Sequence, residues 1–232
     1  MKLAISGTYS SGKTTTTLAL AHLTGIPRTH AKTMREILPD ALPGKRLEDC
    51  TAPELFRLGM IRYGERAVHE SHLPNGFISD GSSIHEWVYG KVRINVGINP
   101  NDSEDMNVEK TESMRFFEEV IDNMGAVMKQ YAKRTYDEFI HLPVEFPLVE
   151  DGHRPVSERF RRLSDELLIS TLEELDIKYH IVSGTIEERL EKIMEIYGFS
   201  PVMDIKKAIE LAIEETSQMQ TEIEVEEQSV QA

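Results

Sequence analysis

The stretch Gly7-Thr8-Tyr9-Ser10-Ser11-Gly12-Lys13-Thr14 constrains this chain more than any other. It follows the apolar run Leu3-Ala4-Ile5 and precedes Thr15-Thr16-Thr17-Leu18-Ala19-Leu20, so a glycine-bounded loop joins a short strand to a helix. The fixed positions satisfy G-x-x-x-x-G-K-[ST], in the strand, loop and helix context that gives the pattern its meaning. A polyphosphate is held best by converging backbone N–H groups. A chain wraps that closely only where glycine removes the Cβ and permits positive φ. Gly7 and Gly12 supply those bends, and the next helix adds its unpaired N-terminal N–H groups and the positive end of its dipole. Thr8, Tyr9, Ser10, Ser11 and Thr15 complete the expected cradle. Lys13 would reach the outer phosphates of a nucleotide, and Thr14 would offer its hydroxyl to Mg2+. The alternative is a glycine-rich turn before an ordinary helix.

The rest of the chain suits a phosphate-loop domain. Its 232 residues are enough for one α/β domain with insertions and a real core, expected over residues 1–213. No apolar span is long enough to cross a membrane, and the first apolar run is too short for a signal peptide, so a cytoplasmic protein is expected. The single cysteine, Cys50, permits no internal disulfide. A net charge of −14 argues against nonspecific binding to nucleic acid or to an anionic membrane. Part of that charge lies in the acidic, Gln- and Ser-containing segment 214–232, which reads as a disordered tail.

Along the chain, Gly25 and Pro27 end the first helix. A short extended piece is expected near Arg28 to Ala31, then a brief helix stopped at Pro39. Arg35 and Glu36 on that helix face either a substrate or solvent. Thr51 and Glu54 form a capping-box pattern opening a helix to about His72. Phe77-Ile78-Ser79-Asp80 is the next strand, and Gly81-Ser82-Ser83 follows it. In open α/β sheets ligands gather at the carboxyl ends of strands, so Asp80 lies beside the phosphate loop if the two strands are neighbours. There it would hold Mg2+ through water or take a proton from an attacking hydroxyl. Its structural alternative is to cap the helix that runs through Ile84, Trp87 and Val88.

Val92 to Asn107 reads as an irregular connection, and Glu109 to Tyr131 as a long helix whose Met114, Phe117, Ile121 and Met124 form a core stripe. Phe139 to Pro143 is a strand in which His141 reads as structural. Arg154, Arg159, Arg161 and Arg162 then concentrate positive charge in an acidic protein. Guanidinium groups suit phosphate oxygens, although a solvated helix face paired with Glu158, Asp165 and Glu166 has the same letters. Lys178 to Gly184 is the last strand. Gly184 and Thr185, the latter in a second capping box with Glu188, lie where a nucleotide base would be touched.

Strand and helix alternate, which means a parallel sheet covered on both faces. Gly7 to Thr15, the strand-end Asp80 with Ser82, and Asp151-Gly152-His153-Arg154 resemble the NadR-like P-loop family, related to ribosylnicotinamide kinase and to nucleoside and nucleotide kinases. The resemblance spans most of residues 1–200 and implies an α/β P-loop fold with a five-stranded sheet of order 2-3-1-4-5. It further implies ATP with Mg2+, an arginine-bearing lid at about 144–163, and phosphoryl transfer to a small-molecule alcohol. In that scheme Lys13, Asp80 and Arg154 are the catalytic residues, and Thr14 and Asp80 serve the metal. Arg159 joins the phosphate loop and Gly184 to Thr185 at the nucleotide, while Arg35, Ser82 and Asp151 face the acceptor. Two other readings stay open: a nucleotide-binding switch or ATPase acting on a protein partner, and a nucleoside-monophosphate kinase.

Overall fold

A computed structural model describes residues 1–29, 31–98, 110–148 and 157–230. Five parallel strands form one sheet: β1 (Lys2–Ser6), β2 (Arg28–Thr29), β3 (Phe77–Asp80), β4 (Glu138–His141) and β5 (Tyr179–Ile181), in the order β2-β3-β1-β4-β5. The order that the family resemblance implies is the order observed. Side chains alternate across a strand, and the two cores follow from that. Leu3, Ile5, Ile78 and Ile140 face one side, where they meet α1 (Lys13–Thr24), α7 (Ile186–Tyr197) and α8 (Ile205–Val230). Ala4, Phe77 and Phe139 face the other, against α4 (Ser83–Val96), α5 (Glu112–Thr135) and α6 (Glu158–Glu174). Burying each such Leu, Ile or Phe contributes about 1.5–3 kcal/mol relative to exposure. A smaller cluster of Ile37, Leu38, Cys50, Leu55 and Leu58 joins α2 (Met34–Ala41) to α3 (Ala52–Ser71), across a 3-10 turn at Leu47–Asp49.

Several boundaries differ from the sequence expectation, each for a local reason. Helix α2 passes Pro39 and ends at Ala41, closed by Leu42 N–H donating to Leu38 O at 2.8 Å. Proline removes one bond, and a capping box between Thr33 and Glu36 anchors the other end. Helix α4 continues through Val92 to Val96, because Val92, Ile94 and Val96 are buried and hold the extra turn down. The remainder of the expected connection, residues 99–109, lies outside the described residues. Strand β5 ends at Ile181, so Val182 to Gly184 form a loop. Helix α8 runs past residue 214, where a disordered tail was expected to begin. Ala208 and Ala212 are fully buried against the α1 side, and Glu215 meets His22 at 2.7 Å. No described helix is long and apolar enough to cross a membrane.

Candidate active site

The phosphate loop leaves the carboxyl end of β1 and enters α1, as the motif requires. Gly7 has φ 140° and Gly12 φ 83°, and Ser10 between them is also left-handed at φ 56°. A Cβ on Gly7 would lie 2.6 Å from Leu142 O, so that position needs glycine for space as well as for φ, whereas Gly12 needs it for φ, with Arg189 Nη1 3.1 Å from where a Cβ would sit. Lys13 arches back over the loop and its Nζ donates to Thr8 O. Ser11 turns its hydroxyl inward to Thr8 O at 2.9 Å, and Thr8 is fully buried. Thr14 and Thr15 are half-buried at the start of α1. The Tyr9 ring points away from the cradle and stacks on Tyr89 with centroids 4.8 Å apart.

Three buried side chains hold the loop from outside, and the sequence pointed to this role for none of them. His85 in α4 accepts Ser82 N–H at Nδ1 (3.0 Å), so its Nε2 carries the proton that meets Gly7 O at 3.1 Å. Burial, then the charges of Lys13 and Arg66, push its pKa well below the ordinary histidine value. Arg161 in α6 donates from Nε to Tyr9 O at 2.9 Å, pairs with Glu158 at 2.9 Å, and reaches Phe146 O at 3.0 Å. Arg189 in α7 donates to Ser11 O at 2.7 Å. The arginine cluster signalled Arg161 by composition only. A buried guanidinium propping a loop cannot be told from a solvated one by sequence spacing.

Asp80 closes β3, which pairs directly with β1. Its Cα partner is Ile5, and Gly81 N–H donates to Ile5 O at 2.9 Å. The condition that the two strands be neighbours is met, so the end of β3 that carries Asp80 lies alongside the end of β1 from which the phosphate loop leaves. The capping alternative for Asp80 does not hold: Ser82 is the cap of α4, in a reciprocal capping box with His85. Ser82 is correspondingly buried, with its Oγ 3.0 Å from His85 Nδ1, which commits it to the helix end and not to an acceptor. The Asp80 main chain is fixed by Arg66, whose Nη1 donates to Asp80 O at 3.0 Å and to Ser79 Oγ at 2.8 Å. Ser79 in turn donates to Glu70 at 2.8 Å, where Tyr131 and Tyr136 also donate.

Between α3, α4 and α5 lies a small apolar pocket lined by Phe56, Met60, Trp87, Tyr89, Phe117 and Met124, with Glu86 as its carboxylate. The Glu86 side chain is 1% exposed. Arg62 Nη1 donates to its Oε2 at 3.0 Å, whereas Oε1, equally close, receives no hydrogen bond among the described residues. Arg62 also donates from Nε to Lys32 O at 2.8 Å. Burial opposes the charge of Arg62. Glu86, and more weakly Tyr9, Tyr89 and Asp80, nevertheless raise its pKa. The spacing of Arg62, Arg66 and Glu70 at four-residue intervals was the available signal, since charges on one stripe of a helix whose same face carries Leu55 and Leu58 must be paired.

The remaining predicted residues are dispersed. Arg35 sits at the second position of α2, half-exposed, and the Glu36 carboxylate accepts Thr33 N–H at 2.6 Å, so it serves the cap. Arg159 is in the first turn of α6 and Arg162 is exposed. Thr185 caps α7 through Glu188 at 3.3 Å, beside Gly184 in the loop after β5. His141 is structural as expected, fully buried between Ser6 and Asp165. Asp151 and Arg154 lie outside the described residues, as does the middle of the expected lid.

Solved structures share the architecture. Deoxyadenosine kinase from M. mycoides with bound dATP matches with a TM-score of 0.58 at 15% identity, over 85% of this chain and 100% of that one. The same enzyme with bound dCTP gives 0.57 at 16%, over 85% and 99%. NadR in complex with NR gives 0.56 at 18%, over 85% of this chain and 51% of NadR. At these identities the likeness establishes the fold. No curated protein matches the sequence. The family model described as AAA domain, AAA_28, matches residues 2–189, and the chain belongs to that P-loop family.

Proposed function

We propose that the protein is an ATP- and Mg2+-dependent phosphotransferase acting on a nucleoside-like alcohol. The observation that carries this reading is the pairing of β1 with β3, which brings the strand end bearing Asp80 alongside the strand from which the phosphate loop leaves. The loop supplies the left-handed turns and helix N-terminus that suit a triphosphate, with Lys13 for its outer oxygens. The donor set also fits Mg2+. Among the described residues no three His, Cys, Asp or Glu side chains cluster as a cage, and Mg2+ in such sites takes most of its ligands from phosphate and water. Thr14 and Asp80 would hold it, and bound there it would neutralise charge on the phosphates. In this reading Asp80 would also accept the proton of the acceptor hydroxyl.

The pocket argues for the acceptor class. Apolar and aromatic walls suit a heterocycle, and the Glu86 carboxylate, held at 3.0 Å by Arg62, can only accept, so a ligand group that meets it would be an N–H or O–H. The structural neighbours support a nucleoside-type ligand in general terms: deoxyadenosine kinase holds dATP or dCTP, and NadR holds NR. An anionic monophosphate fits the pocket less well: Arg62 is already paired with Glu86, and Arg93 donates to Ile98 O. ADP formation measured with ATP, Mg2+ and panels of nucleosides, sugars and amino acids tests the reading. Turnover should depend on a nucleoside. Acceptor-independent turnover would favour a switch or ATPase.

A further inference from the structure

Glu145 and Arg189 lie outside the acceptor side, yet they tie together the two ends of the nucleotide site. Arg189 is fully buried. Its Nη1 donates to Ser11 O in the phosphate loop at 2.7 Å, and its Nη2 to Glu145 Oε2 at 3.0 Å, while the guanidinium lies over the Phe146 ring at 5.1 Å. The same Glu145 oxygen accepts Gly184 N–H at 2.9 Å, in the loop after β5. One fork and one carboxylate oxygen thus join α7, the segment after β4, the phosphate loop and the loop expected at the base. A buried guanidinium is costly unless its partners are well placed, and only arginine spans two acceptors in fixed directions. Peptide hydrogen bonds within one loop would have sufficed to support the phosphate cradle alone.

We propose that the Glu145–Arg189 pair is a positioning device that fixes the distance between the phosphate loop and the Gly184 turn, so that a nucleoside triphosphate is gripped at both ends. This rests on the nucleotide-donor reading above. It makes a claim that simple loop support does not: the pair matters for a ligand carrying a base and much less for a bare phosphate chain. Glu145 is one-third exposed, so it can be changed with the fold kept.

The experiment compares binding of ATP and of inorganic tripolyphosphate, each with Mg2+, by calorimetry on the full chain. Glu145→Ala should weaken ATP by about tenfold, the scale of losing a charge-assisted hydrogen bond. It should leave tripolyphosphate within about twofold. Glu145→Gln, whose amide oxygen still accepts from both partners, should restore most of the ATP affinity. If Glu145→Ala melts without cooperativity, Glu145→Leu over Phe146 serves as the second truncation. Equal weakening of both ligands, or of neither, overturns the proposal. A parent protein that binds tripolyphosphate as tightly as ATP overturns it too, while a parent that binds neither removes the donor reading itself.

Discussion

At Asp80 the competing roles separate cleanly, because Ser82 and not Asp80 caps α4. Asp80→Asn keeps shape and removes charge, so kcat should fall by at least about a hundredfold, with a melting temperature near that of the parent. Ser82→Ala should behave the other way, costing about 1 kcal/mol of stability through the lost cap. Steady-state kinetics and thermal melts of both variants check this, and an active Asn variant would take Asp80 out of the reaction. His85 carries a pH prediction. Its pKa is depressed in the fold by burial, then by Lys13 and Arg66, relative to about 6.5 in the unfolded chain. The unfolded state therefore binds the extra proton first, and stability that is full above about pH 6.5 is lost as pH falls toward the folded value. Gln at this position can still accept Ser82 N–H as a capping-box partner but does not titrate. Melts from neutral to mildly acidic pH should show a shallower decline for His85→Gln than for the parent. Parallel curves would show that other groups govern the acid limb.

Among the elements, the strand and helix alternation was legible because each strand is a short apolar run with turn signals behind it. The phosphate loop and both capping boxes, at Thr51 and Thr185, were legible for the same reason: their chemistry is local. What the sequence hid is non-local. The propping roles of the buried Arg161 and Arg189 depend on partners far away in the chain, and the α4 extension depends on burial of Val92, Ile94 and Val96 that no periodicity announces. Helix α8 shows the same limit. Its first half is pinned by Ala208 and Ala212, whereas the residues after Thr221 are rich in Glu. Deleting residues 222–232 should leave melting temperature and turnover unchanged. Deleting from Ile205 should lower the melting temperature strongly, because Leu20 and Leu23 of the same core lose cover. Circular dichroism melts of both truncations decide it, and a large loss from the shorter deletion would mean that the end of α8 docks.

For the molecule as a whole, the sheet order places the phosphate loop and a strand-end carboxylate on adjacent strands, and α3, α4 and α5 enclose an apolar, carboxylate-bearing pocket. The proposed donor side follows from one motif, while the proposed acceptor pocket exists only once α3, α4 and α5 have packed. Lys13→Ala, which removes the side chain proposed to serve the phosphates, is the matching control. The most direct test uses ATP labelled on its γ-phosphoryl group, with Mg2+ and a mixture of nucleosides, and follows where the label goes by mass spectrometry. The label is predicted to appear on a nucleoside hydroxyl in the parent protein and to be absent with Lys13→Ala. Label found only in inorganic phosphate, at a rate indifferent to the nucleosides, would contradict the phosphotransferase account.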